Sequence, residues 1–102
     1  MQISRVVGTV VSTNKAEKLT GLKMLVVQPL DIETMKEKGG LSVAIDAVGA
    51  GQDEVVMTVG GSSSRQTALT DGKPVDMSVI AIIDHIDIGV KRVFQKFEEG
   101  GL

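Results

Sequence analysis

Cysteine, tryptophan and tyrosine are absent from this 102-residue chain, and its only aromatic side chains are two phenylalanines. The absence of cysteine excludes disulfides, thiolate metal sites and a cysteine nucleophile. None of the predicted strands carries an aromatic residue on which the bases of a nucleic acid could stack. The chain also lacks an apolar run of membrane-spanning length and the charged start and cleavage site of a secretory signal. These absences predict a soluble protein of the cytoplasm.

Charge of one sign is not concentrated anywhere in the sequence. Eleven lysines and arginines oppose thirteen aspartates and glutamates, for a net charge of -2, and both signs are scattered along the chain. Without a basic patch, neither a nucleic acid nor a membrane surface is expected as a partner. The length allows one domain, and a domain this small gains appreciable burial by self-association.

Branched apolar residues, mainly Val and Ile, dominate the 42% of the chain that is hydrophobic. They cluster in short segments that are typical of β-strands. Gly8, inside the first segment, predicts a bend. The serines of SSSRQTAL predict the N-cap of a short helix before the last strand. A mainly β fold follows, a small closed or partly closed barrel of five strands, with the strands predicted at residues 2–12, 22–30, 42–48, 54–59 and 78–88.

The C-terminal segment after Gly89 has a helical spacing of apolar residues. Val90, Val93, Phe94 and Phe97 lie at i, i+3, i+4 and i+7, which is one stripe of an amphipathic helix. The sequence therefore predicts a barrel domain over residues 1–88 and a helical tail over residues 89–102.

Candidate chemistry concentrates in GAGQDEVVMTVGGSSSRQT, residues 49–67. A phosphate-binding loop needs a lysine after its second glycine, and none is present. A small binding module that holds an anion or oligonucleotide near Arg65 remains the alternative reading. Serine catalysis requires a positioned base, and the only histidine, His85, cannot be placed near these serines. In DHID, residues 84–87, His85 and Asp87 would share a strand face, but two ligands are too few for an ordinary metal site. No catalytic residue, metal ligand or cofactor is predicted.

A family resemblance covers residues 3–84. RVVGTVVST, LTGLKMLVVQPLD, AIDAVGAGQDEVVMTVGGSSSRQT and PVDMSVIAIID together resemble the EutN/CcmL family of bacterial microcompartment vertex proteins. The most specific parts are a D-x-x-G-A-G-x-x-E-x-V-like pattern at residues 46–55 and a G-S-S-A-R-like pattern at residues 61–65. Ser64 stands where many relatives have alanine.

The resemblance implies a barrel of oligonucleotide-binding-like topology that assembles as a homopentamer and has no catalytic activity. Such a pentamer would cap the vertices of a polyhedral shell in a carboxysome or metabolosome. Its expected partners are copies of itself and the hexameric shell proteins that tile the flat layers.

Residues at the subunit boundary are predicted from the same two motifs. Gly61, Ser62, Ser63 and Arg65 are expected to lie at or near a neighbouring subunit, because glycine allows close approach and arginine can bind a carboxylate or carbonyl groups. Asp46 is expected to accept hydrogen bonds from the turn that contains Gly49 and Gly51. The tail stripe, Val90, Val93, Phe94 and Phe97, is expected to pack on an adjacent subunit or on a lumenal cargo protein.

Overall fold

The computed structural model of the chain describes residues 1–12, 22–60 and 77–96. Within these residues the backbone forms seven β-strands and no helix. The predicted helix at residues 62–69 lies outside the described residues. The strands are β1 (Gln2–Val10), β2 (Met24–Pro29), β3 (Ser42–Asp46), β4 (Val55–Gly60), β5 (Met77–Ile82), β6 (His85–Ile88) and β7 (Lys91–Gln95).

The first five strands close into a barrel in the order β1-β2-β3-β5-β4. Neighbouring strands are antiparallel, except that β3 and β5 run parallel through Ile45 opposite Ser78 and Asp46 opposite Val79. The chain reaches β5 from β3 by way of β4, which supplies the crossover that a parallel pair requires. The predicted five-stranded barrel is therefore confirmed.

The barrel interior is filled by small aliphatic side chains. Because side chains alternate between the two faces of a strand, each barrel strand contributes residues to this core. Branched side chains of modest size fill a narrow five-stranded barrel, so no aromatic residue is required. The core consists of Val6, Leu25, Val27, Ala44, Ala50, Val56 and Val79.

Three side chains that carry a hydroxyl group are also buried: Ser4, Thr58 and Ser78. Thr58 Oγ1 donates to the carbonyl of Gln2 at 3.4 Å. Among the described residues, Ser4 Oγ has no hydrogen-bond partner. The hydroxyl of Ser4 thus carries an uncompensated desolvation cost.

The long first strand bends where the sequence predicts. Its register with β2 shifts between Val6, which pairs with Val27, and Gly8, which pairs with Val26. A bulge of this kind increases the twist of a strand and helps a small barrel to close. Gly8 lies over Val26, where an added Cβ would be 3.8 Å from that side chain.

The predicted fifth strand divides into two. β5 ends at Ile82, and β6 begins at His85 in a separate two-stranded sheet with β7. Between them, Ile83 N donates to the carbonyl of Val55 at 2.8 Å, and Asp84 is exposed. The break lets the chain leave the barrel wall, so residues 85–88 belong to a different sheet from residues 77–82.

The predicted helical tail is wrong for residues 91–95, which form strand β7 and pair with β6 in an antiparallel hairpin. Gly89 has a φ of 62° and Val90 follows it, so Ile88 and Lys91 are joined by a two-residue turn. Glycine at the first turn position with positive φ is typical of a type II′ hairpin turn. The turn therefore directs the chain back along β6 instead of into a helix.

Candidate assembly surface

The connection between β3 and β4, residues 47–54, is here called the β3–β4 loop. It begins with a turn that is held by the carboxylate of Asp46. Asp46 Oδ1 accepts hydrogen bonds from the N–H groups of Val48 at 3.0 Å and Gly49 at 2.9 Å. Gly49 has a φ of 80°, which glycine adopts without the clash of a Cβ. The structure therefore brings Asp46 and Gly49 together as predicted.

The middle of the β3–β4 loop is anchored in the barrel. Ala50 is fully buried and belongs to the core. Lys23, which precedes β2, donates through Nζ to the carbonyl of Ala50 at 3.0 Å, and the same Nζ lies 3.8 Å from Asp46 Oδ2. The loop is thus fixed from the inside by an apolar side chain and from the outside by a lysine.

The end of the β3–β4 loop turns around Glu54. Gly51 N donates to Glu54 Oε1 at 2.6 Å, and Glu54 Oε2 lies 2.6 Å from Lys96 Nζ. The hydrogen bond from Lys96 is the main cause that lowers the pKa of the Glu54 carboxyl, and the N–H of Gly51 adds to it. A Cβ at Gly51 would lie 3.4 Å from Glu54 Oε1. The close approach at Gly51 is therefore to its own chain.

Backbone hydrogen bonds tie the loop to β1. Asp53 N donates to the carbonyl of Val6 at 2.8 Å, and Val6 N donates to the carbonyl of Glu54 at 2.9 Å. Arg5 adds a side-chain contact from Nη1 to the carbonyl of Asp53 at 3.0 Å. The loop is consequently a fixed surface at one end of the barrel.

Four polar side chains that hold this loop were not predicted: Arg5, Lys23, Glu54 and Lys96. Glu54 could have been noticed, since it lies three residues after Gly51 and a carboxylate at that spacing can accept from a turn N–H. Lys23 and Lys96 carry no comparable signal, because their positions beside the loop depend on how the barrel and hairpin fold.

The hairpin formed by β6 and β7, residues 85–95, has one polar face and one face that is apolar except for Lys91 near the turn. On the polar face, Arg92 Nε donates to Asp87 Oδ1 at 2.8 Å and Nη2 donates to Oδ2 at 3.3 Å. This pairing lowers the pKa of Asp87 and raises that of Arg92. His85 shares this face, with Nε2 3.8 Å from Asp87 Oδ2. The described residues contain no group of three potential ligand side chains for a metal.

The apolar face of the hairpin follows from the alternation of its strands. Ile86 and Ile88 lie on the opposite side from His85 and Asp87. Ile86 pairs with Phe94, and Ile88 pairs with the exposed Lys91 at the tip of the hairpin. Ile86 and Phe94 are half-buried, whereas Ile88 is 43% exposed.

The residues of the predicted tail stripe do not lie on one face, because the hairpin places them in its turn and in β7. Val90 lies at the turn and is fully exposed, while Val93 and Phe94 are half-buried in β7. Phe97 lies outside the residues that the structure describes, as do Gly61, Ser62, Ser63 and Arg65.

A second exposed apolar surface lies on the outside of β2 and β3. Val43 pairs with Val26 across the two strands, and Leu41 directly precedes the first residue of β3. Leu41 is 61% and Val43 52% exposed, while Val26 is half-buried. This outer β2–β3 patch consists of Val26, Leu41 and Val43. Exposed apolar surface of this kind often marks a site of protein interaction.

A cavity of about 270 Å³ lies beside the start of β1. Its lining is mostly apolar, and three of the lining residues belong to the connection between β2 and β3. The cavity is lined by Met1, Gln2, Ile3, Leu30, Ile32, Lys38 and Met57. One lysine and one glutamine among apolar side chains do not make a recognisable catalytic or cofactor site. In the described part of the chain, no helix is long and apolar enough to span a membrane.

Comparison with known proteins identifies the family. The family model described as "Ethanolamine utilisation protein EutN/carboxysome" matches residues 1–84. The chain is 39% identical over 100 residues to the carboxysome shell vertex protein CcmL of Synechocystis sp., covering 98% of this chain and 99% of that protein. The solved structure of Gloeobacter violaceus CcmL is similar with a TM-score of 0.90 at 42% identity, covering 96% of this chain and 100% of that one.

A second solved structure has the same fold. The GrpN pentameric microcompartment shell protein from Rhodospirillum rubrum has a TM-score of 0.79 at 40% identity, covering 87% of this chain and 100% of that one. The resemblance drawn from the motifs at residues 46–55 and 61–65 is therefore confirmed. Because the family match spans most of the chain and full-length relatives share both its sequence and its barrel, the chain belongs to the EutN/CcmL family.

Proposed function

We propose that this protein is a structural subunit of a bacterial microcompartment shell, where it forms pentamers that cap the vertices. The observation that carries this proposal is the near full-length similarity to carboxysome and microcompartment shell vertex proteins, one of them described as pentameric. A structural role also suits a barrel whose interior is filled by side chains. The protein acts in the cytoplasm as part of the shell and not as an enzyme.

The surface of the single chain supports assembly into a ring. Large apolar side chains are exposed at several separate positions, among them Leu41, Val43, Val48, Ile88 and Val90. A cyclic ring of five requires two different patches that meet head to tail. Burial of such side chains in a ring removes apolar area from water at about 25 cal/mol per Å².

The β3–β4 loop and the Gly61–Arg65 motif form part of the subunit boundary in this proposal. Asp46 and Gly49 fix the backbone of the loop, and Gly51 and Glu54 fix its end, so the loop can meet a neighbour without being reordered. Preformed surfaces lose less entropy on association. Arg65 donates to a carboxylate or to carbonyl groups of the adjacent subunit.

Beyond the ring, the pentamer adjoins hexameric shell proteins, and the C-terminal region contacts an adjacent subunit or lumenal cargo. These partners follow from the role of a vertex, which must join flat layers of hexamers at a corner. The scattered charges, with a net value of -2, suit a tile that makes several different protein contacts.

Native mass spectrometry of the purified protein tests the proposal directly. The wild type is expected at five times the mass of the 10.7 kDa chain, and a monomer would contradict the vertex role. Arg65→Ala is expected to raise the concentration at which the ring dissociates, with Arg65→Lys as the control that keeps the charge but not the bidentate geometry. If Arg65→Ala kept the wild-type mass on dilution, Arg65 would have no role in the boundary.

A further inference from the structure

The hairpin of residues 85–95 has an apolar face that the described residues of its own chain leave incompletely covered. Ile86, Ile88 and Phe94 lie on this face. Among the described residues, none of the three packs against the barrel core or against the smaller buried cluster of Leu22 and Ile45. Ile88 is 43% exposed. The opposite face is closed by the bidentate Asp87–Arg92 pair. On one face of the hairpin the charged side chains are therefore paired, whereas on the other face apolar side chains remain partly exposed.

An isolated two-stranded hairpin is only marginally stable in water, and a third element must normally cover its apolar face. The contacts that hold this hairpin to the barrel are at its base. Lys96 N donates to the carbonyl of Asp84 at 2.7 Å, and Lys96 Nζ binds Glu54. The tip, with the fully exposed Val90, has no such anchor among the described residues.

The outer β2–β3 patch is a separate apolar surface, made of Val26, Leu41 and Val43. It lies on the outside of β2 and at the start of β3, whereas the hairpin forms a separate two-stranded sheet whose base contacts the first residue of β4 through Ile83. The two surfaces are therefore different in residue composition and in position. This is the arrangement that a heterologous, head-to-tail interface requires.

We infer that the apolar face of the hairpin docks on the outer β2–β3 patch of a second copy of this chain. The inference rests on the proposed function, because a ring of five supplies one neighbour for each hairpin and one for each patch. The pentameric state of the 40% identical GrpN supports a second copy as the occupant. Ile88 and Phe94 of one subunit then cover Val43 of the next, which removes apolar surface from water on both sides.

The experiment compares four variants of the full chain by native mass spectrometry and dilution. Ile88→Gln changes the apolar face of the hairpin, and His85→Gln is the matched control on the polar face of the same strand. Val43→Gln changes the receiving patch, and the Ile88→Gln/Val43→Gln double variant completes a double-mutant cycle. Circular dichroism verifies folding, which these changes should preserve because all three side chains are substantially exposed in the single chain.

We expect Ile88→Gln and Val43→Gln each to raise the half-dissociation concentration of the ring by about tenfold or more, and His85→Gln to leave it unchanged. Because the two side chains meet, the double variant should show a smaller rise than the product of the single effects. Equal behaviour of Ile88→Gln and His85→Gln would overturn the inference, as would effects that multiply independently. A wild-type monomer would instead refute the proposed function, so the two failures are distinguishable.

Discussion

Replacing Asp46 by alanine tests whether this carboxylate organises the β3–β4 loop. Oδ1 accepts from Val48 N at 3.0 Å and Gly49 N at 2.9 Å. The side chain of Asp46 is only 2% exposed, and Lys23 Nζ lies 3.8 Å from Oδ2. Alanine removes the acceptor for both N–H groups and the carboxylate beside Lys23.

The expected loss follows from these contacts. A hydrogen bond to a charged group contributes about 1.5–3 kcal/mol, but Val48 and Gly49 are exposed, so water replaces part of each bond. The lysine adds little, because its side chain is 52% exposed and such pairs contribute about 0–1 kcal/mol. We expect Asp46→Ala to lower the free energy of unfolding by about 2–3 kcal/mol, or roughly 10–15 °C in melting temperature.

Urea unfolding and thermal melts provide the measurement. Both proteins must be compared at one protein concentration, since assembly makes apparent stability depend on concentration. Asp46→Asn is the matched control, because its side-chain oxygen can still accept from the turn, and it should lose less than about half as much. A wild-type melting temperature for Asp46→Ala would refute the role of this carboxylate.

Three other perturbations have defined expectations. Ser4→Ala should raise the free energy of unfolding by about 1 kcal/mol, since a buried unpaired hydroxyl costs about 1–3 kcal/mol; an unchanged or lower urea midpoint would contradict this. Gly49→Ala should lower the free energy of unfolding by about 1 kcal/mol because of the positive φ at this residue. Gly40→Ala, at a site that is open and has no positive φ, should melt like the wild type. Because the pKa of Glu54 is lowered in the folded protein, its carboxylate stabilises the fold. This stabilisation is complete above the ordinary pKa of glutamate and is lost as the pH falls through the lowered pKa. Lys96→Met should therefore flatten the loss of stability that occurs as the pH falls below the ordinary glutamate pKa, and parallel stability curves for the two proteins would disprove the coupling.

The strands of the barrel could be predicted from the sequence because their signals are local. The runs of valine and isoleucine and the bend at Gly8 each act within one segment, and β1 to β4 lie where these signals indicate. The role of Asp46 was also accessible, since an aspartate can hydrogen-bond the backbone two and three residues later. The parallel pairing of β3 with β5 depends on barrel closure and has no local signal.

The hairpin was missed because its sequence also fits a helical stripe. The register between β6 and β7 shifts between Ile86 and Asp87, which leaves Val93 as an extra residue between Arg92 and Phe94. This bulge places two apolar residues side by side and so interrupts the alternation typical of a strand. Together with Val90 at the turn, they reproduce the i, i+3, i+4 spacing of a helix. The positive φ of Gly89 gives the turn its hairpin geometry.

The contacts of Glu54 and Lys96 connect the β3–β4 loop to the hairpin, and both of these elements are proposed to meet a neighbouring subunit. Glu54 holds the β3–β4 loop through Gly51 N and holds the hairpin base through Lys96 Nζ. The backbone N–H of the same lysine closes the hairpin onto Asp84. A shift of the hairpin relative to the barrel would therefore have to break a contact of the loop as well. The direction in which the hairpin leaves the barrel is thus set within each subunit before assembly, which reduces the conformational cost of closing a ring.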